Sequence, residues 1–167
     1  MISPQAQQIH DRSLIWDTHA CFPLNPNSDL TELKRYRDSG VNFVSINIGM
    51  DMDSFENVMQ VLARFRNYIT SHPDRYLLAL SVSDILTAKE SGKLAIAFDL
   101  EGSDPLLGNI NLVSFYYDLG VRQMLLAYNK DNRASGGCME GNIGLTDFGK
   151  DVIREMKSQV AEAVNSL

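Results

Sequence analysis

Asp17, His19 and Cys21 occupy alternate positions in "LIWDTHACFPL", an acid, an imidazole and a thiol placed just after an apolar run. Side chains two apart on a strand share a face, so this spacing would project the three together where the strand ends. A histidine nitrogen, a thiolate and a carboxylate from a second strand can present three donors to one divalent ion. Zinc suits that mixture, and a fourth position left to water gives the catalytic arrangement. Water activated by such an ion attacks amides and esters near neutral pH. Glu101, which closes "LAIAFDLE" immediately before Gly102, is the carboxylate best placed to complete the set.

Plainer readings stand beside these. His19 reads equally as a hydrogen-bonded core histidine and Cys21 as a small buried hydrophobe. Glu101 could serve the next helix through its dipole, and Asp17 and Asp99 could accept from loop N–H groups. Asp51 and Asp53 read as turn and cap residues, and Met50, Met52 and Met59 as packing. His10 and His72 lie away from the strand ends. Cys138, in the loop "NKDNRASGGCMEGNIG", is either a free surface thiol or a further ligand.

The elements that must position these residues alternate along the chain. Leu14–Thr18, Val41–Ile48, Tyr76–Leu80, Leu94–Leu100 and Val121–Tyr128 read as strands, several apolar on both faces, as a helix-covered parallel sheet requires. The Tyr76 strand reads as an accessory. Helices fall between: one opened by Asp29 with Glu32 in capping-box spacing and ended by Gly40, and a longer one opened by Ser54 and stopped at His72-Pro73. Shorter ones span Ser83 to Ser91 and Asn111 to Leu119. Thr146 caps the last, with Val152, Ile153, Met156, Val160 and Val164 along one side. This is an α/β chain of parallel βα units, either a smaller open sheet or part of a barrel, since a complete eight-fold barrel needs about 250 residues.

With 167 residues the expectation is a single domain, 1–167. Fifteen basic against 21 acidic residues give a net charge of −6 with no basic cluster, which argues against nucleic acid as a partner. No apolar run approaches the roughly 20 residues of a membrane span. The first residues lack the build of a signal peptide, and two distant cysteines make no disulfide framework. The expected location is the cytoplasm.

Five segments in order carry a resemblance: "LIWDTHACFPL", "DLTELKRYRDSGVNFVSINIG", "SDILTAKESGKLAIAFDLEGSDPL", "YYDLGVRQMLLAYN" and "GLTDFGKDVIREM". The chain resembles the membrane dipeptidase (renal dipeptidase) family of zinc peptidases, bacterial type, over roughly Ser13 to Met156. That resemblance implies the N-terminal part of a (β/α)8 TIM barrel with a two-zinc site that hydrolyses dipeptides. It makes His19 a histidine ligand and Glu101 the carboxylate that bridges the metals and helps hold or deprotonate water. Asp17 and Asp99 would stand behind the ligands, Asp17 orienting the histidine.

The departures shape the expectation. Cys21 stands where the family has a ligand aspartate, and would be a substitute ligand. Tyr128 stands where a family histidine contacts substrate, so Tyr128 and Asn129 are the expected substrate-binding pair. After "GKDVIREM" the family continues into a strand ending in Ser-His and supplies a further histidine ligand, whereas this chain reads "KSQVAEAVNSL". The expectation is therefore an incomplete barrel with impaired hydrolysis and open sheet edges. Two alternatives accompany it. One is a non-catalytic fragment that forms a homodimer or pairs with a missing half. The other is a single-metal ester, lactone or amide hydrolase.

Overall fold

A computed structural model describes residues 2–165. Five parallel strands alternate with six helices. The order is α1 (Pro4–Arg12), β1 (Trp16–Ala20), α2 (Leu33–Asp38), β2 (Phe43–Met50), α3 (Phe55–Thr70), β3 (Tyr76–Leu78) and α4 (Val82–Glu90). Then come β4 (Leu94–Glu101), a 3-10 turn (Asp104–Leu106), α5 (Asn111–Asp118), β5 (Val121–Met124) and α6 (Asp147–Asn165).

β4 is the central strand. β2 pairs along one edge, from Phe43 opposite Ala95 to Met50 opposite Glu101. The other edge is shared: β3 takes the first half, with Tyr76 opposite Leu94, and β5 the second, with Phe98 opposite Val121. β1 pairs with the far edge of β2. The short β3 thus occupies half an edge and is the accessory strand of the sequence reading. The remaining parallel βα units are those of an incomplete (β/α) barrel.

Alternation along β4 separates two faces. Leu94, Ile96, Phe98 and Leu100 are buried on one, where Val58, Val61, Leu62, Phe65 and Ile69 of α3 join the main core. Each such side chain contributes about 1.5–3 kcal/mol on burial. On the opposite face Ala95 and Ala97 are small enough for α4 to lie against the sheet, with Ile85 and Ala88 meeting Phe43 and Ala79. α4 therefore floors this face at the amino ends of the strands. Asp99 and Glu101 continue the same face beyond it. An apolar groove of about 640 Å³, lined in part by Trp16, Phe43, Ala97, Val121 and Val160, runs along this side.

Local signals set most element ends. Ser54 Oγ accepts from the Asn57 N–H at the start of α3, and Thr146 Oγ1 accepts from the Gly149 N–H at the start of α6. Gly40 (φ +86°) turns the chain out of α2. Several expectations need correction. β1 runs Trp16–Ala20, two residues later than the expected Leu14–Thr18. The Asp29–Glu32 capping box does not form: Asp29 instead accepts from Thr31, and α2 starts at Leu33. α4 begins one residue earlier than expected, because Ser81 and Asp84 make the reciprocal box. β5 stops at Met124, four residues short, because side chains draw Leu126–Tyr128 away from the ladder. α1 was not expected at all, since it buries no residue and carries no apolar stripe; only Ser3, followed by Pro4, marks its start. In α6, Val152 is buried while Ile153 and Val160 are exposed; the Val164 side chain lies outside the described residues. No helix among the described residues is long and apolar enough to cross a membrane.

Candidate metal centre

β1 does not keep strict alternation to its end. Its register with β2 shifts between Asp17 and Ala20, so two steps on β2 oppose three on β1. The shift turns His19 toward the face of Asp99 and Glu101. Asp17 stays behind: its Oδ1 accepts from the His19 backbone N–H at 3.3 Å. The imidazole's carboxylate partner is Asp99, whose Oδ1 lies 3.0 Å from Nδ1. The expected common face of Asp17, His19 and Cys21 is thus corrected by one bulge.

The other ring nitrogen faces two donors. His19 Nε2 is 3.1 Å from Glu101 Oε1 and 3.3 Å from Cys21 Sγ. Ligand atoms of His19, Cys21 and Glu101 all lie within 4.8 Å of one another. In the tautomer that carries its proton on Nδ1, donated to Asp99, the Nε2 lone pair faces the space between thiol and carboxylate. The His19 side chain is 35% exposed and that of Glu101 13%, so the cluster is open on one side and walled on the other.

Asp99 is the buried support of this arrangement. Ser45 Oγ donates to its Oδ2 at 2.6 Å and Asn47 Nδ2 to its Oδ1 at 3.3 Å. Burial raises its pKa, and Ser45, His19 and Asn47 oppose the rise. The Cys21 thiol is also pushed up, by burial first and then by Glu101 and Asp99. Cys21, His19 and Asp99 in a row resemble a thiol–imidazole–carboxylate chain. Glu101 and Asp99 beside the thiol disfavour its thiolate, and a cation between the three donors would relieve that repulsion. The donor set of one nitrogen, one sulfur and one carboxylate oxygen fits a divalent ion.

Ser45 is missing from the sequence reading. Its signal was available: the lone hydroxyl in "VNFVSINI", two residues before Asn47 and hence on the same face. Tyr128 and Asn129 lie on the loop after β5. Neither is a hydrogen-bond partner of His19, Cys21 or Glu101 among the described residues. Cys138 stays outside the cluster, its Sγ donating to Asn129 Oδ1 at 3.4 Å.

Parallel βα units with polar side chains gathered at the carboxyl ends of the strands define a chain of the (β/α) barrel class, whose sites form at that end. The comparisons narrow the class. Residues 4–160 match the membrane dipeptidase family (peptidase family M19), and the chain belongs to it. The dipeptidase tcpJ of Claviceps purpurea is 28% identical over 106 residues, covering 62% of this chain and 25% of that one. An amidohydrolase from Pseudomonas aeruginosa superposes with a TM-score of 0.81 at 23% identity, over 91% of this chain and 45% of its own. The dipeptidase AC, a metallopeptidase of family M19, gives 0.69 at 15% identity, over 86% and 54%. The chain thus spans between a quarter and about half the length of these relatives. Membership of a metallopeptidase family implies use of a metal.

Proposed function

We propose that His19, Cys21 and Glu101 hold a zinc ion and that the site serves hydrolysis of dipeptides. The observation that carries this reading is the convergence of the three donors from two separate strand ends to within 4.8 Å. When bound, such an ion activates water and polarises the scissile carbonyl. The chain's own residues do the rest. Asp99 holds the imidazole by its Nδ1 proton and so aims Nε2 at the ion. Glu101 offers a carboxylate oxygen that can hold an attacking water and take its proton. Tyr128 and Asn129, on the loop beyond β5, are the proposed substrate contacts. The free, exposed thiols of Cys21 and Cys138 favour a reducing compartment such as the cytoplasm.

Three donors around one point leave room for one ion, which favours a second reading: single-metal hydrolysis of an ester, lactone or other small amide. Both readings are tested by incubating zinc-loaded protein with a panel of dipeptides, aryl esters and lactones, with and without chelator. Dipeptide turnover abolished by chelator supports the first; ester or lactone turnover alone supports the second. No turnover of any of them overturns both, and leaves the homodimeric or paired fragment as the reading to pursue.

A further inference from the structure

Asp51, the first residue after β2, makes more bonds than a turn residue needs. Its backbone N–H donates to the Glu101 carbonyl at 3.3 Å. Its carboxylate then spreads over two other segments. Oδ1 accepts from the Asp104 N–H at 3.1 Å and from Asn132 Nδ2 at 3.0 Å, and Oδ2 accepts from the Tyr128 N–H at 3.2 Å. Gly102 (φ +131°) allows this approach, because a Cβ there would overlap the carboxylate.

Asn132 extends the connection. Its Nδ2 also donates to the Leu126 carbonyl at 2.7 Å, while its Oδ1 accepts from the N–H groups of Ala134 and Ser135. Ser103 Oγ donates to the same Leu126 carbonyl at 2.6 Å. The loop after β5 is therefore tied to the end of β4 at its start, where the Leu125 N–H donates to the Leu100 carbonyl and Ser103 holds Leu126, and farther along, at Tyr128 and Asn132, through the half-buried Asp51 carboxylate.

We infer that Asp51 is a positioning residue that clamps the loop bearing Tyr128 and Asn129 against the strand end bearing Glu101. The inference rests on the proposed role of that loop in holding substrate. Asp51 touches neither metal nor substrate; it sets the distance between the groups that do. An amide in its place keeps one acceptor oxygen and adds a donor, so it cannot hold all three N–H groups.

The test uses Asp51→Asn in the full chain, with Asp51→Glu beside it. The first readout is residue-resolved amide hydrogen exchange without metal. Exchange at Tyr128 or Asp104 is expected to quicken about fivefold or more in Asp51→Asn, with Ile46 and Ile96 unchanged. Asp51→Glu, with the charge displaced by one methylene, should not restore protection. The second readout is calorimetric titration of zinc and then of glycylglycine. Zinc affinity should hold within about twofold while dipeptide affinity falls about tenfold. Unchanged exchange at both amides overturns the inference, as does faster exchange throughout the sheet or a parallel loss of zinc affinity. If the wild-type chain takes up neither zinc nor glycylglycine, the proposed function fails. The exchange readout alone then decides whether Asp51 is the clamp.

Discussion

His19 Nδ1 and Asp99 Oδ1 lie 3.0 Å apart although 80 positions separate them in the chain. One is the penultimate residue of β1 and the other lies two residues before the end of β4; β2 lies between, contributing Ser45 and Asn47 to the same carboxylate. A buried acid so placed favours the Nδ1 proton once an ion occupies the Nε2 side, and so leaves Nε2 to the ligand position.

Asp99→Asn is accordingly expected to weaken zinc binding about 10- to 100-fold. The isosteric amide keeps the volume and removes a buried charge, so the thermal midpoint should not fall. Competition with a chromogenic chelator, alongside a melting curve, checks both halves of this expectation.

Zinc should shield one thiol and not the other. Cys21 lies inside the donor cluster, whereas Cys138 is exposed beside Asn129. Iodoacetamide labelling followed by peptide mass mapping is expected to show Cys21 protected at saturating zinc while Cys138 still reacts. Equal labelling of Cys21 with and without zinc would remove the thiol from the ligand set.

Gly102→Ala is expected to destabilise the fold by about 1–3 kcal/mol, through the positive φ and the collision with the Asp51 carboxylate. Urea unfolding measures this directly. A wild-type midpoint and slope would show that the β4 end has slack that its packing denies.

Ser81→Ala serves as a remote contrast. It removes the reciprocal box at the start of α4 and should cost about 1 kcal/mol. Zinc stoichiometry should not change, because α4 floors the sheet at the end opposite the ligands.

Much of this was legible in the residue order. Apolar runs such as "LAIAFDL" announce buried parallel strands, and the polar residues that end them mark the functional edge. His19, Cys21 and Glu101 could be singled out because they stand at the ends of apolar runs, Glu101 just before glycine, and because His19 and Glu101 match ligand positions of the family resemblance. What the order does not carry is register. The bulge before Ala20 decides that Asp99 rather than Asp17 serves the imidazole, and a bulge follows from tertiary pairing, not local pattern. Asn132 likewise looks like an ordinary loop residue, since two of its partners, Asp51 and Ser103, come from distant segments. α1 escaped for the opposite reason: a helix that buries no residue leaves no apolar periodicity to read.

The central claim is that the strand ends of β1 and β4 hold a zinc ion. Elemental analysis of purified, dialysed protein tests it directly, with His19→Ala and Glu101→Ala as controls. The account predicts about one zinc per chain, lost in both variants. A wild-type chain that retains no zinc after loading and dialysis would contradict it.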